Sequence, residues 1–197
     1  MWEPSVKHKL SIIIGSTRPG RAGPIFAECL EGFAREHGKF EPVLTDIAAF
    51  KLPILDEPHH PRLRNYQNDH TKAWSEAIEA ADAFVFVAPE YNYFAPPAIV
   101  NAVDYLLSEW RYKPAAIFSY GGVSGGLRAA QALKPLLTSV GVMPIPEGVA
   151  LPAYQTLLDS NRAYHPSEQV QAGARTMLDE LFRWSEALKN LRAGLPK

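Results

Sequence analysis

Arg18 and Arg21 stand three residues apart in a loop that opens with Gly15, Ser16 and Thr17 and carries further glycines at Gly20 and Gly23. Hydroxyls, guanidinium forks and the free amides of a helix start bind phosphate oxygens directly, without a metal. Ser16, Thr17, Arg18 and Arg21 therefore suit a terminal monophosphate. Two nucleotide motifs are approached and missed. Gly15 and Gly20 have P-loop spacing, but Arg21 stands where that motif needs Lys and Ala22 where it needs a hydroxyl for magnesium, so ATP or GTP hydrolysis is not expected. Gly15, Gly20 and Gly23 also fail the G-x-G-x-x-G spacing of a pyrophosphate turn. The plainer alternative is a glycine turn with solvated arginines.

A second loop reads Pro89-Glu90-Tyr91-Asn92-Tyr93-Phe94-Ala95-Pro96-Pro97. Its aromatic and polar rim suits a planar heterocycle, which gains from stacking and from amide hydrogen bonds. Tyr93 and Phe94 could instead cover core, the simpler reading for Phe94. Glu90 and Asn92 have no core to fill, although a solvent-facing turn would also accept them. A third loop, Ser119-Tyr120-Gly121-Gly122-Val123-Ser124-Gly125-Gly126, carries four glycines that let backbone come close to a ligand, or that make a flexible turn.

Elsewhere the chemistry is thin. His59 and His60 form a metal pair at best, in a Pro-rich stretch without cysteines, and no metal site is expected. Asp104 and Glu109 read as surface or interface charges, and Arg128 and Gln131 as a solvated helix face. The lone Cys29 cannot form an intrachain disulfide and reads as a small buried hydrophobe in a helix, consistent with a reducing cytoplasm. A formal net charge of −1 argues against nucleic-acid or anionic-membrane binding. The first ten residues lack the apolar segment of a leader, and no apolar run approaches the roughly 20 residues that cross a bilayer.

Each loop follows a short apolar run and precedes helical periodicity. Strands are predicted at 10–14, 40–46, 83–88, 114–119 and 143–149, and helices at 23–37, 71–80, 97–107, 125–140 and 167–191. Residues 47–68 and 150–166 read as irregular connections. Alternation of this kind implies a five-stranded parallel sheet with helices on both faces, because parallel strands need helical crossovers. The order 2-1-3-4-5 fits best, in a single domain over 1–197. It puts the chain reversal between the first and third strands, where ligands bind at the carboxyl edge.

Taken together, the segments at 15–21, at Pro89–Asn92 followed by Asn101-Ala102-Val103-Asp104, and from Ser119 to Ala129 resemble the NADPH-dependent FMN reductase family over roughly residues 10–149. That family is flavodoxin-like and includes chromate, quinone and azo-dye reductases. The resemblance implies FMN phosphate at Ser16, Arg18 and Arg21, the isoalloxazine along Pro89, Glu90, Tyr91, Asn92 and Tyr93, and Tyr120, Gly121 and Gly122 near the ring. It implies NADPH or NADH as donor, small-molecule acceptors, a homodimer or homotetramer, and no catalytic side chain, the chemistry residing in FMN. Two departures stand out: Val100 where the family commonly has Lys, and Pro96-Pro97 where Pro-Gly is common. A one-electron carrier with this fold, or a non-catalytic flavin-binding interaction protein, are the rival readings. Carriers favour a Thr/Ser-rich phosphate loop and an acidic docking face, unlike this nearly neutral chain.

Overall fold

The computed structural model describes residues 7–194, so the stretch 1–6 of the leader argument lies outside the described residues. Strands β1 (His8–Ile14), β2 (Phe40–Asp46), β3 (Ala83–Pro89), β4 (Pro114–Tyr120) and β5 (Met143–Leu151) form one sheet in the order β2-β1-β3-β4-β5. All four pairings are parallel, as the alternation predicts.

The central strands are apolar on both faces because helices cover both, and the two-residue period assigns each side chain to a face. Ile12, Ile14, Val85, Val87, Ala116 and Phe118 pack with helices α1 (Gly23–His37) and α6 (Glu168–Ala193). The one-turn helix α2 (Ile47–Phe50) follows β2. Ile13, Phe84, Phe86, Ala115 and Ile117 pack with α3 (Asp69–Glu79), α4 (Pro97–Asp104) and α5 (Leu127–Ser139). Thus β1 leads to a helix on one face and its neighbour β3 to a helix on the other. Their carboxyl ends part at the switch point that opens a binding crevice in folds of this type.

The irregular connections hold more order than their sequence discloses. Asp46 caps α2 by accepting from the Ala48 amide at 3.1 Å. His60 caps a 3₁₀ turn at Pro61–Leu63, its Nδ1 accepting from the Arg62 amide at 3.2 Å. The stretch 64–68 then folds over Glu109, which corrects its reading as a surface or interface charge. Glu109 is fully buried and accepts from the Tyr66 and Ser75 hydroxyls, each at 2.8 Å, with Arg64 Nε at 3.4 Å. A buried carboxylate needs such donors. Cys29 is half-buried on α1, and burial together with Glu36 pushes its thiol up to about 11. No helix among the described residues is long and apolar enough to cross a membrane.

Candidate functional site

The first loop, residues 15–22, is fixed from both sides. Gly15 donates to Val87 O at 3.0 Å, and a Cβ there would sit 2.2 Å from Ile99 Cδ1, so any larger residue would displace the buried Ile99 of α4 where β1 leaves the sheet. Ser16 is fully buried, and its hydroxyl accepts from Tyr120 Oη at 3.2 Å, tying this loop to the end of β4. The Tyr120 phenol is raised above its usual value by burial. Arg21 spends its fork on Asp46, bonding Oδ1 at 2.8 Å and also Oδ2, and it donates to the Ser16 carbonyl. Arg18 is exposed and has no ion-pair partner among the described residues; its guanidinium carbon lies 5.6 Å from the Tyr91 ring centre. Burial raises the Tyr91 phenol above its usual value, against the opposing effect of Arg18. The chain then enters α1 at Ala22, which supplies no side-chain cap, with Pro24 in the first turn and no acidic residue there. The positive end of the helix is therefore unscreened by its own side chains.

The second loop turns on two residues. Asn92 (φ 49°) and Tyr93 (φ 66°) both lie in the left-handed region, and Tyr91 and Phe94 exchange backbone bonds of 2.9 Å in each direction. This is a two-residue hairpin turn, and holding Tyr93 in that region costs about 1 kcal/mol. Tyr93 and Phe94 are both largely exposed, at 69% and 54%, so Phe94 does not cover core.

Glu90 explains how the strained turn is held. Its side chain is only 6% exposed and accepts from Ser124 Oγ at 2.6 Å, from the Arg128 amide at 3.2 Å, and from Arg128 Nε and Nη2 at 2.7 and 2.6 Å. Burial opposes its ionisation, yet these donors together hold its carboxyl below the usual carboxylate value. The same guanidinium lies 3.8 Å over the Tyr93 ring. Arg128 is exposed, as read above, but its guanidinium is committed: β3 delivers Glu90 to the start of α5, where it recruits Arg128.

The third loop is pinned rather than loose. Gly126 (φ 85°) lies so close to Tyr120 backbone that a Cβ would meet it at 2.7 Å. Ser119 Oγ donates to Gly125 O at 2.9 Å. The carbonyls of Gly121 and Gly122 accept from the amides of Tyr154 and Ala153, at 3.2 and 2.8 Å.

These loops converge on one cleft of about 260 Å³ that brings together Arg18, Arg21, Pro89, Glu90, Tyr91, Tyr120, Gly121 and Gly122. Ser16 lies buried beneath it. Thr17 faces a neighbouring hollow with Lys51 and Asn101, while Asn92 and Tyr93 form the outer tip and do not line the cleft. Sequence reasoning missed Tyr154 and Gln155, which complete the wall from the connection after β5. The signal available was a pair of tyrosines, Tyr154 and Tyr164, in an aperiodic segment.

Residues 8–156 match the family described as NADPH-dependent FMN reductase. An NAD(P)H-dependent FMN reductase of Schizosaccharomyces pombe is 39% identical over 125 residues, which cover 62% of this chain and 62% of that protein. An NAD(P)H-dependent FMN reductase of Saccharomyces cerevisiae is 30% identical over 166 residues, covering 72% and 86%. Among solved structures, the flavoenzyme NAD(P)H:(acceptor) oxidoreductase FerB of Paracoccus denitrificans superposes with a TM-score of 0.71 at 22% identity, covering 91% of this chain and 98% of that one, a likeness of fold. A match over most of the length, on a sheet of this order, places the chain in the NADPH-dependent FMN reductase family, flavoprotein oxidoreductases that use FMN and a reduced nicotinamide.

Proposed function

We propose that the cleft at the β1/β3 switch point binds FMN, phosphate inward and ring along the second loop, and that the protein reduces small-molecule acceptors with NADPH or NADH. One observation carries the reading: an uncapped helix start, the exposed Arg18 and an aromatic wall meet in one cleft. The donor set fits a phosphomonoester dianion, which needs several donors and no metal. Arg18 and the amides entering α1 would hold that phosphate, with the buried Ser16 supporting the loop from beneath through Tyr120. Because its fork is committed to Asp46, Arg21 would serve by fixing the loop and by adding positive field. Tyr91 would face the ring system, with Pro89 and Glu90 backbone along one edge and Tyr120, Gly121 and Gly122 closing the other. Bound FMN supplies the redox chemistry, passing the reducing equivalents of a nicotinamide to a quinone, azo compound, chromate or free flavin in a ping-pong cycle.

The chain's own task is to hold the ring, keep one face open and exclude water from the other. The exposed Tyr93 and Phe94 at the tip support a homodimer or homotetramer in which a second copy borders each cleft. A single domain acting in the cytoplasm completes the proposal. The test is purification without added flavin, an absorption spectrum, and anaerobic titration with NADPH and with NADH. A flavin spectrum that bleaches on addition of either nucleotide is expected. A preparation that neither carries nor takes up FMN overturns the reading.

A further inference from the structure

The connection after β5 builds a strap back to the first loop. Tyr154 packs on Tyr120 and Phe26, with ring centres 5.2 and 6.2 Å apart, and Tyr164 packs edge-on against Phe26 at 5.0 Å. Leu158 and Tyr164 pair as an antiparallel bridge. Between them Asp159 organises a tight turn: its Oδ1 accepts from the amides of Asn161 and Ala163 at 2.8 and 2.9 Å, and its carbonyl accepts from the Arg162 amide at 2.9 Å. The turn puts Arg162 in the left-handed region at φ 62°, where Gly or Asn is the easier choice. Arg162 Nη2 then donates to the carbonyls of Gly20, at 2.8 Å, and Arg21, at 3.3 Å.

In a trans peptide the carbonyl and the next N–H point to opposite sides. Holding the Gly20 and Arg21 carbonyls outward therefore fixes where the Arg21 and Ala22 amides point. The Arg21 amide closes the turn to Arg18 O at 3.3 Å, and the Ala22 amide stands at the entry to α1. Gly20, at φ 70°, has the freedom to let these planes rotate. We propose that Arg162 is a positioning residue for the cofactor phosphate: it locks two peptide planes of the first loop, so that the Arg21 amide keeps the turn closed on Arg18 O while the Ala22 amide and the Arg18 side chain keep an anion-binding arrangement. The proposal rests on the phosphate reading above and adds a residue from beyond the stretch 8–156 that matches the family.

The experiment compares FMN with riboflavin, which lacks the phosphate, by fluorescence titration of the intact flavin-free protein. Wild type should bind FMN more tightly than riboflavin. Arg162→Met should raise the FMN Kd about tenfold, the loss expected of one charge-assisted hydrogen-bonding group, and move the riboflavin Kd by less than about twofold. Arg162→Lys should recover part of the loss, and Asp159→Ala, which loosens the turn but keeps the guanidinium, should reproduce part of it. Equal weakening of both flavins by Arg162→Met means a merely structural role and overturns the inference, as does an unchanged FMN Kd. If Arg18→Ala erases the preference for FMN while Arg162→Met does not, the phosphate reading stands and this inference falls. If wild type does not distinguish the two flavins, both fall.

Discussion

Replacing Glu90 by alanine tests whether the second loop is held by its carboxylate or by the hairpin alone. The substitution removes the acceptor of Ser124 Oγ, of the Arg128 amide and of the Arg128 guanidinium. Arg128 is itself 47% exposed, so water re-solvates the abandoned charge and no buried cation is stranded. The cost is then that of lost charge-assisted bonds rather than of a broken buried pair, about 2 kcal/mol. For a chain of this size that corresponds to a fall in Tm of about 4–8 °C. Thermal unfolding of wild type, Glu90→Ala, Arg128→Met and the double variant forms a cycle, and the coupling energy should be about 1–2 kcal/mol. The pH dependence follows from the direction of the shift. Because the folded state holds the Glu90 carboxyl below its usual value, the stabilisation is complete above the ordinary carboxylate range and is lost as pH falls through the lowered folded value. Wild type and Glu90→Ala should differ fully at neutral pH and converge in acid. A Tm change below about 1 °C, or strict additivity of the two single variants, refutes the clamp.

Arg18→Ala should weaken FMN binding about 10- to 100-fold and leave riboflavin nearly unaffected, as titration of the flavin-free protein will show. Gly23→Ala places a Cβ 2.4 Å from Ser16 Oγ and 3.1 Å from Tyr120 Oη, both buried and mutually bonded. It should lower Tm and remove flavin from the purified protein, whereas Gly32→Ala, with nothing within 4 Å of the new methyl, should retain flavin and raise Tm slightly. Cys29, with its thiol pushed up to about 11, should react with iodoacetamide at neutral pH at least about tenfold more slowly than in the unfolded chain, the loss of thiolate being partly offset by its greater nucleophilicity. Alkylation followed by intact mass, in buffer and in denaturant, measures the ratio.

The sheet was legible because its signals are local. A β-branched run ending at Gly15, an amphipathic helix stopped by Gly38 and the unbroken apolar run of β3 each report their state within a few residues. That the sheet is parallel followed from the alternation, since parallel strands need crossovers. The candidate site was legible only in outline. Gly15 and Tyr91 could be placed at a cleft from their neighbours in the chain, but what Arg21 and Arg128 bond depends on Asp46 and Glu90, residues 25 and 38 positions away. Spacing of two arginines in one loop cannot tell which will meet a ligand and which will meet a carboxylate from the next strand.

That difference has a physical consequence for how such a site is assembled. An open phosphate loop needs its cation free and its backbone rigid, two demands that a short glycine-containing turn cannot satisfy alone. This chain divides them: Arg18 stays unpaired among the described residues, while Arg21 on Asp46, Tyr120 on Ser16 and Arg162 on the Gly20 and Arg21 carbonyls supply the rigidity from three other elements. The same division recurs at the second loop, where Tyr93 is exposed at the tip and Glu90 with Arg128 holds the turn from behind. Residues that fix the loops thus sit one contact away from those that would touch the flavin. Substitutions at Asp46, Arg128 or Arg162 should accordingly change flavin affinity through loop order, and amide hydrogen exchange in residues 15–22 and 90–94 of the flavin-free protein should rise in step with the loss of affinity.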